Sequence, residues 1–260
     1  MSLKIRKTKT IKQRGKKTYP VAFVPSTDQY VYLDADNEDG PKEFKVQGNA
    51  KLQPMPDFRP NVAQHLYASG RSGSGKSTYI SNFIKNFLKF APINQVNDRE
   101  IYIFSSVDQD DVLDKFNGIR IDLEELLTDP IYPEDLQSSI VIFDDIWSIQ
   151  DKNIRNSVLA LQNNILQCGR HNDIISLNTT HILLDYKQTR MLLQESTSIT
   201  VFPKSLAKNQ IRRYLEKYIG MKTAGINKFF SQKSRWVTIN SSFMLPLVIS
   251  EKGVYLLNEF

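Results

Sequence analysis
The residues best equipped for chemistry are a nine-residue run: Gly70, Arg71, Ser72, Gly73, Ser74, Gly75, Lys76, Ser77 and Thr78. The run fits G-x-x-x-x-G-K-[ST], a pattern in which each residue type has a task if the ligand is a triphosphate. Glycines at 70, 73 and 75 let the backbone turn left-handed and bring its N–H groups against phosphate oxygens with no Cβ in the way. A helix starting near Lys76 would add its positive end to the same anion site. Lys76 is then expected to reach the β- and γ-phosphates, and Ser77 to ligate Mg²⁺.

A second constellation lies 68 residues after that lysine, where Ile140-Val-Ile-Phe-Asp-Asp145 reads as a buried strand ending in two carboxylates. In a parallel sheet the C-terminal strand ends line the ligand crevice, so Asp144 is placed to hold Mg²⁺ and Asp145 to orient or deprotonate an attacking water. Another strand candidate, Ile101-Tyr-Ile-Phe104, lies between the two motifs in sequence. That spacing suits ATPases whose Walker A and Walker B strands are separated by an inserted one. A nucleoside triphosphate and Mg²⁺ are therefore the expected ligands, and the resemblance described below implies that the triphosphate is ATP.

Positioning these groups requires alternating strands and helices. His65–Ser69 reads as a strand before the glycine-rich loop, and Ile80, Phe83, Ile84, Phe87 and Leu88 after it recur at helical spacing. Ile154, Val158, Leu161 and Ile165 mark a second helix, and 174–177 another strand. Short apolar strands alternating with one-faced helices predict an α/β fold, a P-loop NTPase with a mainly parallel sheet between helices. Earlier in the chain, 21–24, 30–33 and 43–46 read as β-strands, with Pro54, Pro56 and Pro60 ending a small β appendage. The expected organisation is a basic arm at 1–18, the appendage at 19–58 and the ATPase domain at 59–260. The acidic run Asp34–Gly40 reads as a solvated hairpin turn, since Asp39 stands where a calcium loop needs glycine. Three strand-like runs after Tyr214, at 235–239, 247–249 and 254–257, either extend the sheet or form a subunit contact.

Composition excludes other classes. With 40% hydrophobic residues, 14 Phe and 11 Tyr, the 260-residue chain can fill a core. A single cysteine permits no internal disulfide, and His65, His171 and His181 lack zinc spacing. No run approaches the ~20 apolar residues of a membrane span, and the first thirty residues hold no apolar signal core, so a soluble, unsecreted protein is expected. Residues 1–17 carry eight cations and no acid, so the remainder is formally −2 against a total of +6. That arm could neutralise DNA phosphates, dock on an acidic partner or solubilise the chain, and it weakly resembles nuclear import signals.

Beyond the two motifs, Gln167-Cys-Gly-Arg-His171, Asn178-Thr-Thr-His181, and Glu195 before Thr200-Val-Phe-Pro-Lys204 resemble the genome-packaging ATPases of large nucleocytoplasmic DNA viruses such as poxviruses, members of the FtsK/HerA superfamily. The resemblance covers roughly 61–201. It implies an FtsK/HerA-type sheet and an ATP-driven pump moving double-stranded DNA into a capsid. It further implies a homo-oligomeric ring, pentamer or hexamer, a capsid or portal-vertex partner, and a place in the virion and the host cytoplasm at the viral factory. A polar sensor is expected at the end of the strand after Walker B, where Thr180 is preferred over Asn178 and Thr179. A ring motor also needs an arginine reaching a neighbour's γ-phosphate. Arg170 is the first candidate, with Arg190, Arg212 and Arg213 as alternatives. Asp145 departs from the glutamate usual in this class. Two rivals remain open: a P-loop nucleoside or nucleotide kinase, and a nucleotide-binding virion scaffold without turnover.

Overall fold
The computed structural model describes residues 1–7, 18–59, 62–96 and 99–260. Its strands are β1 (Ser2–Arg6), β2 (Thr18–Val24), β3 (Gln29–Asp34), β4 (Glu43–Lys45), β5 (Gln53–Pro54), β6 (Gln64–Ser69), β7 (Ile101–Ser105), β8 (Ile119–Arg120), β9 (Ile140–Asp144), β10 (Ile175–Thr180), β11 (Ser198–Val201), β12 (Val237–Asn240), β13 (Leu247–Ser250) and β14 (Gly253–Leu256). The helices are α1 (Lys76–Phe90), α2 (Ile93–Val96), α3 (Lys152–Cys168), α4 (Arg190–Glu195), α5 (Lys208–Lys217) and α6 (Thr223–Ser231).

These elements form two compact units. The unit made of Arg59–Ser81 and Pro92–Thr200 holds both chemical motifs. Its strands run in the order β11-β6-β10-β9-β7-β8, and β6, β10, β9, β7 and β8 are parallel to one another. β10 thus separates the Walker A strand β6 from the Walker B strand β9, as the motif spacing suggested. The separating strand comes from later in the chain, whereas 101–105 pairs on the far side of β9. Ile140–Phe143 is fully buried because both faces of a parallel sheet are covered. On one face Val158, Leu161 and Ile165 of α3 pack against Phe104, Val141, Phe143 and Ile174. The rings of Phe104 and Phe143 stack at 5.1 Å. Each such side chain contributes roughly 1.5–3 kcal/mol on burial. Asp151 caps α3, its carboxylate accepting from the N–H groups of Asn153 and Ile154.

The other unit comprises Met1–Phe58, Asn82–Ala91 and Val201–Phe260. Besides the first 58 residues this unit takes in two later segments, Asn82–Ala91 and Val201–Phe260. The reason is packing: Phe87 and Phe90 of α1 lie against Phe58, Phe23 and Tyr30 at ring separations of 5.1–6.1 Å. This unit has an antiparallel sheet β1-β3-β2-β5 and an antiparallel ladder β4-β14-β13-β12. The final strand-like runs therefore pair with each other and with β4. Two expectations are corrected here. The first residues of the basic arm form strand β1, in which Ser2 and Leu3 are buried and Lys4 pairs with Asp34; 8–17 lie outside the described residues. The acidic run after Asp34 closes no hairpin, because β3 and β4 belong to different ladders.

Candidate active site
The glycine-rich loop leaves the C-terminal end of β6 and enters α1 at Lys76. Gly73 and Gly75 hold φ of +72° and +104°, conformations that a side chain would strain. Lys76 is buried, and its Nζ donates to Gly70 O at 2.7 Å and Arg71 O at 3.4 Å. Burial pushes the Lys76 ammonium pKa down, while the charges of Asp144 and Asp145 push it back up. Arg71, Ser72 and Thr78 are exposed. Ser77 Oγ donates to Asp110 Oδ2 at 3.0 Å. Asp110 is itself fixed by the N–H groups of Val112 and Leu113, which donate to its other oxygen. No motif marked Asp110; its signal is only an acidic turn after a parallel strand.

Asp144 ends β9 with both carboxylate oxygens held, Oδ1 by the Thr179 hydroxyl at 2.6 Å and Oδ2 by the Ser105 hydroxyl at 3.3 Å. Asp145 then turns left-handed, φ +48° and ψ +48°, a region aspartate tolerates better than most residues. Its N–H points back to Thr179, lying 3.3 Å from the carbonyl and 3.2 Å from Oγ1. Its Oδ2 lies 2.8 Å from His181 Nε2. The kink separates the two acids, one clamped to the sheet and one turned toward the end of β10. His181, which the sequence marked for no chemistry, thus touches the carboxylate expected to handle water.

The sensor expectation is corrected. Side chains alternate along a strand, and the register places Thr179 opposite Asp144. Thr179 alone among the three candidates touches it. Thr180 faces the other way, where Tyr67 Oη meets its hydroxyl at 3.0 Å and donates to the Ile182 and Leu183 carbonyls. Asn178 is buried in a polar network: it accepts from Gln162 Nε2 at 2.9 Å and donates to Leu66 O and Ser176 Oγ. Ser176 Oγ is also 2.8 Å from His65 Nδ1, and burial pushes the pKa of His65 down to about 4. The loop and the sensor strand are joined by main chain as well, since the Gly70 N–H donates to Thr180 O at 3.1 Å.

Arg170 is not brought to this site. It lies in the turn Gly169–Asn172 before β10, at the N-terminal end of the parallel strands and opposite the phosphate loop. Arg190 starts α4 after the segment that leaves the C-terminal end of β10, and it stacks over Tyr186 at 5.5 Å. Arg212 and Arg213 lie in α5, in the other unit.

Among the described residues no three His, Cys, Asp or Glu side chains gather to hold a metal. Ser77 and Asp144 would hold the expected Mg²⁺. A crevice of about 840 Å³ runs past Ser105, whose hydroxyl meets Asp144, and past Arg120, Asp122, Ser148 and Asp151. No helix among the described residues is long and apolar enough to cross a membrane.

No protein-family model matches the chain. Among solved structures, the cytoplasmic domain of the Thermomonospora curvata type VII secretion ATPase EccC covers 95% of this chain with 29% of its own length, at TM-score 0.52 and 11% identity. With the loop geometry above, this identifies the fold as that of P-loop ATPases. The DNA-packaging ATPase B204 of Sulfolobus turreted icosahedral virus aligns over 73% of this chain and 97% of its own, at TM-score 0.48 and 14% identity. Among curated proteins, protein V3 of the Sputnik virophage is 35% identical over 224 residues, 85% of this chain and 87% of V3. At that identity and coverage, the chain belongs to the family of the Sputnik virophage protein V3.

Proposed function
We propose that this protein hydrolyses ATP with Mg²⁺ to drive double-stranded DNA into a viral capsid, working as a pentameric or hexameric ring. The observation that carries the reading is the pair Asp144 and Asp145, one clamped by Thr179 and Ser105, the other turned away from it with one oxygen on His181 and the second left to meet a water. The virophage relative supports a viral setting. A capsid or portal-vertex protein would be the docking partner, and the virion and host cytoplasm the place of action.

Loop N–H groups and the α1 N-terminus bind the phosphates, and Lys76 transfers its hydrogen bonds from loop carbonyls to phosphate oxygens. Bound magnesium supplies charge neutralisation on the β- and γ-phosphates. The Thr179 and Ser105 hydroxyls hold Asp144 in one rotamer. His181 holds one oxygen of Asp145, leaving the other to orient a water and accept its proton. An arginine from a neighbouring subunit would complete the site, and Arg190 is the candidate that starts from the correct end of the strands.

Steady-state ATP hydrolysis by wild type, Lys76→Ala and Asp145→Asn, with and without long duplex DNA, tests this. Lys76→Ala is expected to lose at least ~100-fold in turnover. Asp145→Asn is expected to bind ATP and to turn over roughly 100- to 10,000-fold more slowly. Wild-type turnover should rise with DNA and lose that rise at high salt. Persisting turnover in either variant would refute the role given. The crevice past Ser105 favours a second reading, a nucleoside kinase with an acceptor pocket. Arg120, its only lining cation, is engaged with Asp114. DNA-independent transfer of phosphate from ATP to a nucleoside would favour the kinase, and tight ATP binding without hydrolysis would favour the scaffold.

A further inference from the structure
The cations of the body are sorted. Residues 201–235 hold nine Lys or Arg and one acid, Glu216. With the +8 of residues 1–17 and the chain total of +6, everything else is formally −10. The sorted cations centre on α5, which buries Ile211, Tyr214 and Leu215. Its other side and its flanks expose Lys204, Lys208, Arg212, Arg213, Lys217 and Lys222. None of these six side chains has an ion pair or hydrogen bond among the described residues, whereas Lys4, Lys45, Lys51, Arg99 and Arg120 all pair with carboxylates.

We propose that this face of α5 is where the protein holds the phosphate backbone of double-stranded DNA; the inference rests on the translocase reading and adds its docking surface. A ten-residue helix is ~15 Å long, and duplex DNA carries one charge per ~1.7 Å of axis. Lys208 and Arg212, and again Arg213 and Lys217, are four residues apart, a rise of ~6 Å between the cations of each pair, and the two pairs flank the exposed side of the helix. The face has cations without a planar array of exposed aromatic rings, so it fits a stacked duplex better than splayed bases. Outside this stretch and the arm the chain is formally −10, a charge that disfavours contact with DNA elsewhere. Such contacts position a duplex without reading its sequence, as a motor that moves any sequence requires.

A fluorescence anisotropy titration of a labelled 30-base-pair duplex by the full chain tests this, with sedimentation velocity on the same samples. Lys208→Glu/Lys217→Glu is expected to weaken binding at low salt by about tenfold or more and to flatten its salt dependence by about one log–log unit per lost phosphate contact. Lys208→Arg/Lys217→Arg should bind as wild type, which separates charge from folding. Unchanged affinity and slope in the Glu variant would overturn the assignment. Smaller assemblies in the Glu variant would overturn it too, in favour of a second copy as occupant, docked through its 107–135 stretch with ten acids and two cations. Lys76-dependent ATP hydrolysis is scored separately. If turnover is normal but DNA affinity is unmoved, only the surface fails; if wild type shows no turnover yet the Glu variant loses DNA, only the motor fails.

Discussion
At the scale of single residues, the site turns on which hydroxyl meets Asp144. Thr179 does, at 2.6 Å, and Thr180 is engaged with Tyr67 on the other side of the strand. A hydroxyl that orients a metal-binding carboxylate through a hydrogen bond is worth about 10- to 100-fold in activity or metal affinity. Thr179→Val should therefore cut kcat by about that factor and raise the Mg²⁺ concentration needed for half-maximal turnover, whereas Thr180→Val should change either by less than about threefold. Magnesium titrations of ATPase activity read both effects, and equal losses in the two variants would remove Thr179 from the sensor role. The motif residues were visible in sequence because their meaning is local: Gly73, Lys76 and Asp144 each fall at fixed offsets within one loop or one strand end. Thr179 was not, because the run Asn178-Thr-Thr180 has no internal mark of which side chain faces β9. Only the register with Asp144 settles that.

Among elements, β10 is the hub, carrying Thr179 on one face and a buried polar chain on the other. That chain runs from Gln162 on α3 through Asn178 and Ser176 to His65 on β6. Breaking a satisfied buried network leaves donors without acceptors. Asn178→Leu should therefore destabilise the protein by ~1–3 kcal/mol, seen as a lower urea midpoint, with KM for ATP near wild type. A midpoint equal to wild type would show that the network holds nothing together. The alternating strand–helix order was legible from period and length alone, since Ile140–Phe143 and the α3 stripe carry clear patterns. β1 was not. Its Lys4 and Arg6, followed by Lys7, look like part of a charged tail, and its burial comes from pairing with β3 across a long sequence separation.

For the molecule as a whole, His65 sets an acid limit. Burial holds its folded pKa at about 4, while the unfolded ring titrates near ~6.5. Between those values the unfolded chain binds a proton that the folded one refuses, so stability falls as pH drops from about 7 toward 4 and levels off below. The full difference is ~3 kcal/mol. Urea midpoints at pH 7 and pH 5 should fall more steeply for wild type than for His65→Gln, which keeps a hydrogen-bonding group without the charge. Parallel slopes would show that another group governs the acid side. Charge sorting on this scale was present in the sequence but hidden by summation: the formal −2 outside the arm conceals a strongly basic stretch around α5 set against an acidic remainder.

The bond from the Gly70 N–H to Thr180 O ties the start of the phosphate loop to the end of the strand that carries Thr179 and leads into His181. If the loop takes a γ-phosphate as proposed, any shift of the loop would pull directly on that strand end, with no side chain in the linkage. Alanine scanning is blind to such a tether, because every substitution leaves the amide and the carbonyl in place. Replacing the amide at position 70 by an ester removes the donor, weakens the Ser69 carbonyl as an acceptor, and leaves every side chain unchanged. The gearing between nucleotide and strand would then slip while every catalytic side chain stayed intact.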